Sequence, residues 1–274
     1  MTLHFPNMQG QLTRADNRIL DYISGNVEVF LFSSIGELAR QTGVSEATIS
    51  RFVRHMGCAD FKELKRLVME QTSGEGPAAK LAQTLGDKDG FTAGSFIRLQ
   101  QLYLEKTLEG LSEEEFQAAG EAVLGAHRVF IHAKSASASL GRLLLFRLRR
   151  LGIEALLLPS GGSELLEGLA QVREDDLVLM FSLSKVSREG RIILDYSRQV
   201  GYGTAAFVSR SFIPEDERAD IHLYAYRGEE KEYHSMTGPA VLVDALVLYI
   251  SHQMGAQAIQ NLSALHKLKN KYTL

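Results

Sequence analysis

The chain has 274 residues, 45% of them hydrophobic, with a formal net charge of -3 and one cysteine. That length allows two hydrophobic cores, a small one of about 75 residues and a larger one. The charge excludes a uniformly basic nucleic-acid-binding protein, and the lone Cys58 excludes an internal disulfide framework or a cysteine zinc cluster.

Cys58 reads as a small buried hydrophobe rather than a redox sensor. The N-terminus lacks a charged-then-apolar signal pattern. The longest apolar run near the C-terminus, PAVLVDALVLYI, is too short to span a bilayer and carries Asp244. A soluble, cytoplasmic protein is expected, with no metal, cofactor or catalytic group assigned.

Residues 13 to 70 carry helical patterns throughout: Thr13 to about Ser24, Val27 to Phe32, two short helices between Ser34 and Gly57, and Asp60 to about Glu70. The stretch SIGELARQTGVSEATISRFVRHMG is the most informative. Ser34 and Glu37 have capping-box spacing, Ala39 is small where a second helix must cross, and Gly43 permits a left-handed turn. Ser45 opens the next helix. In it Ala47, Ile49, Phe52, Val53 and Met56 recur at three- and four-residue steps as a buried stripe, leaving Glu46, Ser50, Arg51 and Arg54 outward. The joint fit of Ala39, Gly43, Val44, Ile49 and Phe52 predicts a helix-turn-helix that reads double-stranded operator DNA. Arg51 and Arg54 would reach phosphates or base edges, with Ser45, Thr48 and Ser50 near the groove. Five basic residues against two acidic ones between Arg51 and Arg66 supply the local positive charge.

The composition then shifts to TSGEGPAAK, which reads as a linker over 73–90 between a DNA-binding domain over 1–72 and a second domain over 91–274. Helical patterns resume from Phe91 to Leu108 and from Ser112 to about Leu124, where Ser112 and Glu115 have capping-box spacing. After Gly125 short apolar strands alternate with helices: RVFIHA, EALLLP, DLVLMFSLS, GTAAFVS and DIHLYAY. This alternation predicts an α/β domain with a parallel sheet sandwiched by helices. Two serine-rich loops, 133–139 and 182–189, follow strands and lead into helices. Clustered hydroxyls and amides at helix starts can hold a phosphate or sugar, and they can equally serve as caps.

Over nearly its whole length the chain resembles the RpiR family of bacterial transcription regulators. In that family a helix-turn-helix domain precedes a sugar isomerase (SIS) domain that binds phosphosugars. The resemblance rests on LTRADNRILDYI, on SIGELARQTGVSEATISRFVRHMGCADFKELKRLV, and on the later loop order with the Asp244 helix. The family's Gly-x-Gly-x-Ser loop falls on Ala133, Ser135 and Ser137. Its Ser-x-Ser-Gly-x-Thr-x-Glu loop falls on Ser182, Ser184, Lys185, Ser187 and Glu189. The resemblance implies a regulator of carbohydrate metabolism, working as a homodimer or homotetramer and modulated by a phosphorylated sugar or related anion. The implied contacts are Ser137, Ser182, Ser184 and Ser187, with Ser135 adding a hydroxyl and Lys185 a charge. Three family glycines are replaced, by Ala133, Ser135 and Lys185, which restricts close backbone approach and positive φ.

His132, before the first loop, and His234, in KEYHSMTG, have the chemistry of an acid or base, but no carboxylate accompanies them at a defined spacing. A phosphosugar isomerase-like enzyme is one alternative. A DNA-binding protein with a degenerate, purely dimerising SIS domain is the other. The DNA-reading domain argues against an enzyme, because turnover would destroy the signal a regulator reports.

Overall fold

The computed structural model describes residues 3, 5, 8, 11–72, 77–86, 91–229 and 231–272. They form two compact units, Met1–Phe96 with Gly228–His234, and Ile97–Arg227 with Ser235–Leu274.

The first unit contains α1 (Arg14–Gly25), α2 (Val27–Phe32), α3 (Ile35–Thr42), α4 (Glu46–His55), α5 (Phe61–Thr72) and α6 (Pro77–Gly86). Its core joins Ile19 and Ile23 of α1, Phe30 of α2, Leu38 of α3, Ile49 and Phe52 of α4 and Leu64 of α5. Each such side chain, fully buried, contributes about 1.5–3 kcal/mol. Thr13 and Ser34 both close capping boxes, and Gly43 ends α3 at φ 65°. The positive φ is what requires glycine there, since the nearest atom to an added β-carbon, the Arg18 guanidinium at 2.9 Å, ends a flexible side chain. The buried Asp16 carboxylate ties α1 to the end of α4: its Oδ2 accepts from the Thr13 N–H at 2.8 Å, the Thr13 hydroxyl at 2.6 Å and His55 Nδ1 at 2.9 Å. Burial alone would raise the Asp16 carboxyl, but the Thr13 and His55 bonds together hold it below its ordinary value.

Two expectations change in this unit. Ala47 is exposed, whereas Ile49, Phe52, Val53 and Met56 are buried as the pattern implies. The three-residue step from Ala47 to Ser50 and the four-residue step to Arg51 define the outer stripe, and alanine alone is too weakly apolar to decide between the faces. Residues 77–86, inside the expected linker, are helical. Pro77 sits at the first helical position, where it costs nothing, and AAKLAQTL is made of strong helix formers. The rest of that stretch, 73–76 and 87–90, lies outside the described residues. The backbone N–H of Tyr233 donates to Thr84 Oγ1 of α6 at 2.7 Å, which places the distant segment Gly228–His234 with this unit.

The second unit is built on α7 (Ala93–Gly110), α8 (Glu113–Gly125), β1 (Val129–His132), α9 (Ala138–Arg150), β2 (Ala155–Leu157), α10 (Gly162–Leu169), β3 (Leu177–Phe181), α11 (Arg188–Val200), β4 (Gly203–Val208), β5 (Ile221–Tyr224), α12 (Thr237–Met254) and α13 (Ala256–Tyr272). All strand pairs are parallel, in the order β2-β1-β3-β4-β5. Both faces are covered, which explains the near-continuous apolar strands. Val129, Ile131, Leu179 and Phe207 meet Leu144, Leu148, Leu242 and Leu246 on one face. Phe130, Val178 and Ala206 meet Leu165, Leu169, Ile193 and Leu194 on the other. Ser112 caps α8, but Glu115 does not close the expected box. Its carboxylate accepts from the His222 N–H at 3.2 Å instead, tying α8 to β5.

Candidate functional site

Two regions gather the residues singled out in the sequence. On α4, the exposed positions are Glu46, Ala47, Ser50, Arg51 and Arg54. Ser45 caps the helix by accepting from the Thr48 N–H at 3.1 Å, and its hydroxyl lies 2.9 Å from that of Thr48. Arg51 reaches back to Thr48 Oγ1 at 3.4 Å, a long and weak bond. Among the described residues Arg54 makes no side-chain hydrogen bond or ion pair. The outer face of α4 therefore presents two arginines, Arg54 in its last turn, and the short hydroxyl of Ser50 to solvent above a buried stripe.

The second region lies at the carboxyl ends of β1 and β3, which are hydrogen-bonded neighbours in register from Val129↔Leu177 to His132↔Met180. The chain turns one way from β1 to β2 and the other way from β3 to β4, so the crevice between them is the topological switch point where such sheets bind ligands. Loops 133–139 and 182–189 flank it. They meet through Lys134, whose Nζ donates to Glu189 Oε2 at 2.9 Å. The Lys134 bond, with the Glu189 N–H and the Ser187 hydroxyl, holds the Glu189 carboxyl at about 2.

The implied serines are largely engaged. Ser137 is buried and donates to the Lys134 carbonyl at 2.8 Å. Ser187 caps α11 by accepting from the Gly190 N–H at 3.2 Å. Gly190 has no substitute there, since a β-carbon would come within 2.9 Å of Val186 and Met180. The Ser182 N–H extends the β3 ladder to the Phe207 carbonyl at 2.9 Å. Ser184 accepts from Arg227 Nη2 at 2.7 Å. Ser135 and Lys185 are exposed. Of the three replaced glycines, only Ser135 takes a positive φ, 54°, and it is the sole non-glycine residue to do so among the described residues. Serine has been fitted into a left-handed position at a cost of about 1–2 kcal/mol.

Sequence reading missed Arg227, which is only 5% exposed, and the Lys134–Glu189 bridge. Burial lowers the Arg227 guanidinium to about 10, so it stays charged at neutral pH. Neither had a local signal: Arg227 lies 43 residues from Ser184 and reaches it only through the fold. His132 is 3% exposed and burial depresses its imidazole; among the described residues its Nε2 has no hydrogen-bond partner. His234 belongs to the other unit, where its Nε2 lies 3.5 Å from Lys80 Nζ.

The capped helical hairpin with an exposed basic face, joined to a doubly wound parallel sheet, defines a helix-turn-helix transcription regulator with a sugar isomerase-type α/β domain. Residues 2–75 match the model of the helix-turn-helix domain, rpiR family. An uncharacterised HTH-type transcriptional regulator of Caldanaerobacter subterraneus subsp. tengcongensis is 23% identical over 219 residues, 79% of this chain and 77% of that protein. The crystal structure of the sugar isomerase domain of an RpiR transcription factor from Sphaerobacter thermophilus is 27% identical. It has a TM-score of 0.58 and covers 62% of this chain and 96% of that one. The Vibrio vulnificus NanR protein complexed with ManNAc-6P is 21% identical, with a TM-score of 0.56 over 95% of this chain and 94% of that one, a likeness of fold across both domains. No helix among the described residues is long and apolar enough to cross a membrane.

Proposed function

We propose that this regulator controls carbohydrate metabolism and that a phosphorylated sugar or related anion, bound where loops 133–139 and 182–189 meet, modulates its affinity for operator DNA. The observation that carries this reading is the Lys134–Glu189 bond, which brings the two loops together at the switch point of the sheet. There the N-terminus of α11 and the charge of Arg227 favour an anion. The sugar phosphate bound by the NanR relative is the chemistry such a site would take. On the DNA side, Arg51 and Arg54 contact phosphates or base edges, and Ser45, Thr48 and Ser50 line the groove. The protein acts as a homodimer or homotetramer, because one recognition helix reads too few base pairs for specificity. Exposed Ile97, Leu102 and Leu108 of α7 and Ile259, Leu268 and Tyr272 of α13 supply apolar area for that contact.

The domain senses rather than catalyses. A carboxylate held at about 2, as Glu189 is, makes a poor base at neutral pH. The protein belongs in the cytoplasm, consistent with its single cysteine, whose buried thiol is pushed above its ordinary value. Calorimetry of the full chain against a panel of sugar phosphates tests the sensing reading: at least one should bind with saturable heat. A silent panel would favour a purely dimerising domain.

A further inference from the structure

The exposure of Ala47 has a consequence for what α4 reads. At about 100° per residue, with Ala47 at 0°, Arg54 falls about 20° to one side and Arg51 about 40° to the other. The buried residues Ile49, Phe52, Val53 and Met56 lie about 140–240° away. Ala47 thus stands at the centre of the outward face, in the first turn, between the two arginines. It is the only apolar side chain among the exposed positions of α4. The neighbouring Glu46 does not screen it: the Glu46 carboxylate folds back over the start of α3, so that a β-carbon on Gly36 would lie 2.7 Å from its Oε1. The Ser45 and Thr48 hydroxyls are likewise turned toward each other.

A recognition helix meets base edges with its N-terminal residues. A methyl group there makes no hydrogen bond, and the one apolar group on the base edges of the major groove is the thymine 5-methyl. We infer that Ala47 is a specificity-determining residue that packs its methyl against a thymine 5-methyl in the operator, with Arg51 and Arg54 anchoring the helix on either side. The inference rests on the reading of α4 as the DNA-contacting helix and adds the base that it selects.

The test uses the full chain. A bound duplex is first selected from a randomised pool, and each thymine is then replaced singly by deoxyuridine, which removes only the 5-methyl group. Affinities are measured by fluorescence anisotropy for the wild type, Ala47→Gly and Ala47→Ser, with circular dichroism to check helix content. At one thymine the replacement should weaken wild-type binding about fourfold, the value of one buried methyl-sized group. The same replacement should cost nothing further in Ala47→Gly, because the partner methyl is already gone, and Ala47→Ser should lose the same discrimination while keeping a β-carbon. If a duplex is selected but every deoxyuridine is silent, or the penalty persists in both variants, the thymine assignment is overturned while DNA binding stands. If no duplex is selected, the DNA-reading role of α4 falls and the assignment falls with it.

Discussion

The outward face of α4 and the loops at the sheet's switch point differ in how their polar groups are occupied. On α4, Arg54 has no side-chain partner among the described residues and Arg51 has only a long bond to Thr48. At the loops, Lys134 is bonded to Glu189, Ser184 to Arg227, and Ser137 and Ser187 to backbone. A surface of lightly engaged cations suits a partner that brings many phosphates, because at most one long bond is lost on docking. A site of satisfied groups suits a switch, because the anion must displace or rearrange bonds to enter, and binding free energy is thereby spent on changing conformation.

The largest expected effect is on the free face. Arg51→Ala and Arg54→Ala should each cost about 1–3 kcal/mol in operator affinity, Arg51→Ala the more, with unchanged circular dichroism. Gel-shift titration checks this, and an unaltered double variant would remove the contrast altogether. At the loops, Ser182→Ala and Ser184→Ala should each weaken a bound sugar phosphate by about 0.5–1.5 kcal/mol in calorimetry, the net value of a typical hydrogen bond. Equal binding in both would show that the serines are only structural.

Ser135→Gly should raise stability by about 1 kcal/mol, because glycine relieves the left-handed strain at φ 54° and gives back part of that gain as unfolded-state entropy. Thermal unfolding reads this as a rise of a few degrees. The smallest effect concerns the bridge. Glu189→Gln removes a negative charge from the anion's path and frees Lys134, so affinity should rise about two- to fivefold, the scale of an exposed ion pair, whereas Lys134→Ala should lower it. Because the Glu189 carboxyl is depressed from 4.5 to about 2, the stability it contributes is complete above about pH 4.5 and lost as pH falls toward 2. The stability difference between the wild type and Glu189→Gln should be constant above about pH 4.5 and shrink as pH falls from there toward 2 in acid titrations.

The two regions were also unequally legible. The helix-turn-helix is local, so caps at Ser34 and Ser45, a glycine at 43 and a three-to-four-residue stripe specify it within 24 residues, and the structure differs only at Ala47. Alternating apolar segments revealed all five strands, because a parallel sheet covered on both faces admits few polar residues. The loop serines were visible for the same reason. Their partners were not, since Arg227 reaches Ser184 and Lys134 reaches Glu189 only after the chain has crossed the sheet. Helix α6 was obscured by the Gly- and Pro-rich stretch before it, although its own residues favour helix.

If a bound anion modulates operator affinity, as proposed, the two regions are coupled, and linkage requires the coupling to run both ways. The direct measurement is operator affinity by fluorescence anisotropy, without and with a saturating sugar phosphate identified by calorimetry, for the wild type and the Ser182→Ala, Ser184→Ala double variant. The wild type should shift by about five- to 150-fold, the usual range of a 1–3 kcal/mol coupling, and the double variant at the same concentration should shift far less. Identical operator affinity with and without the bound anion would show that the two regions are not coupled.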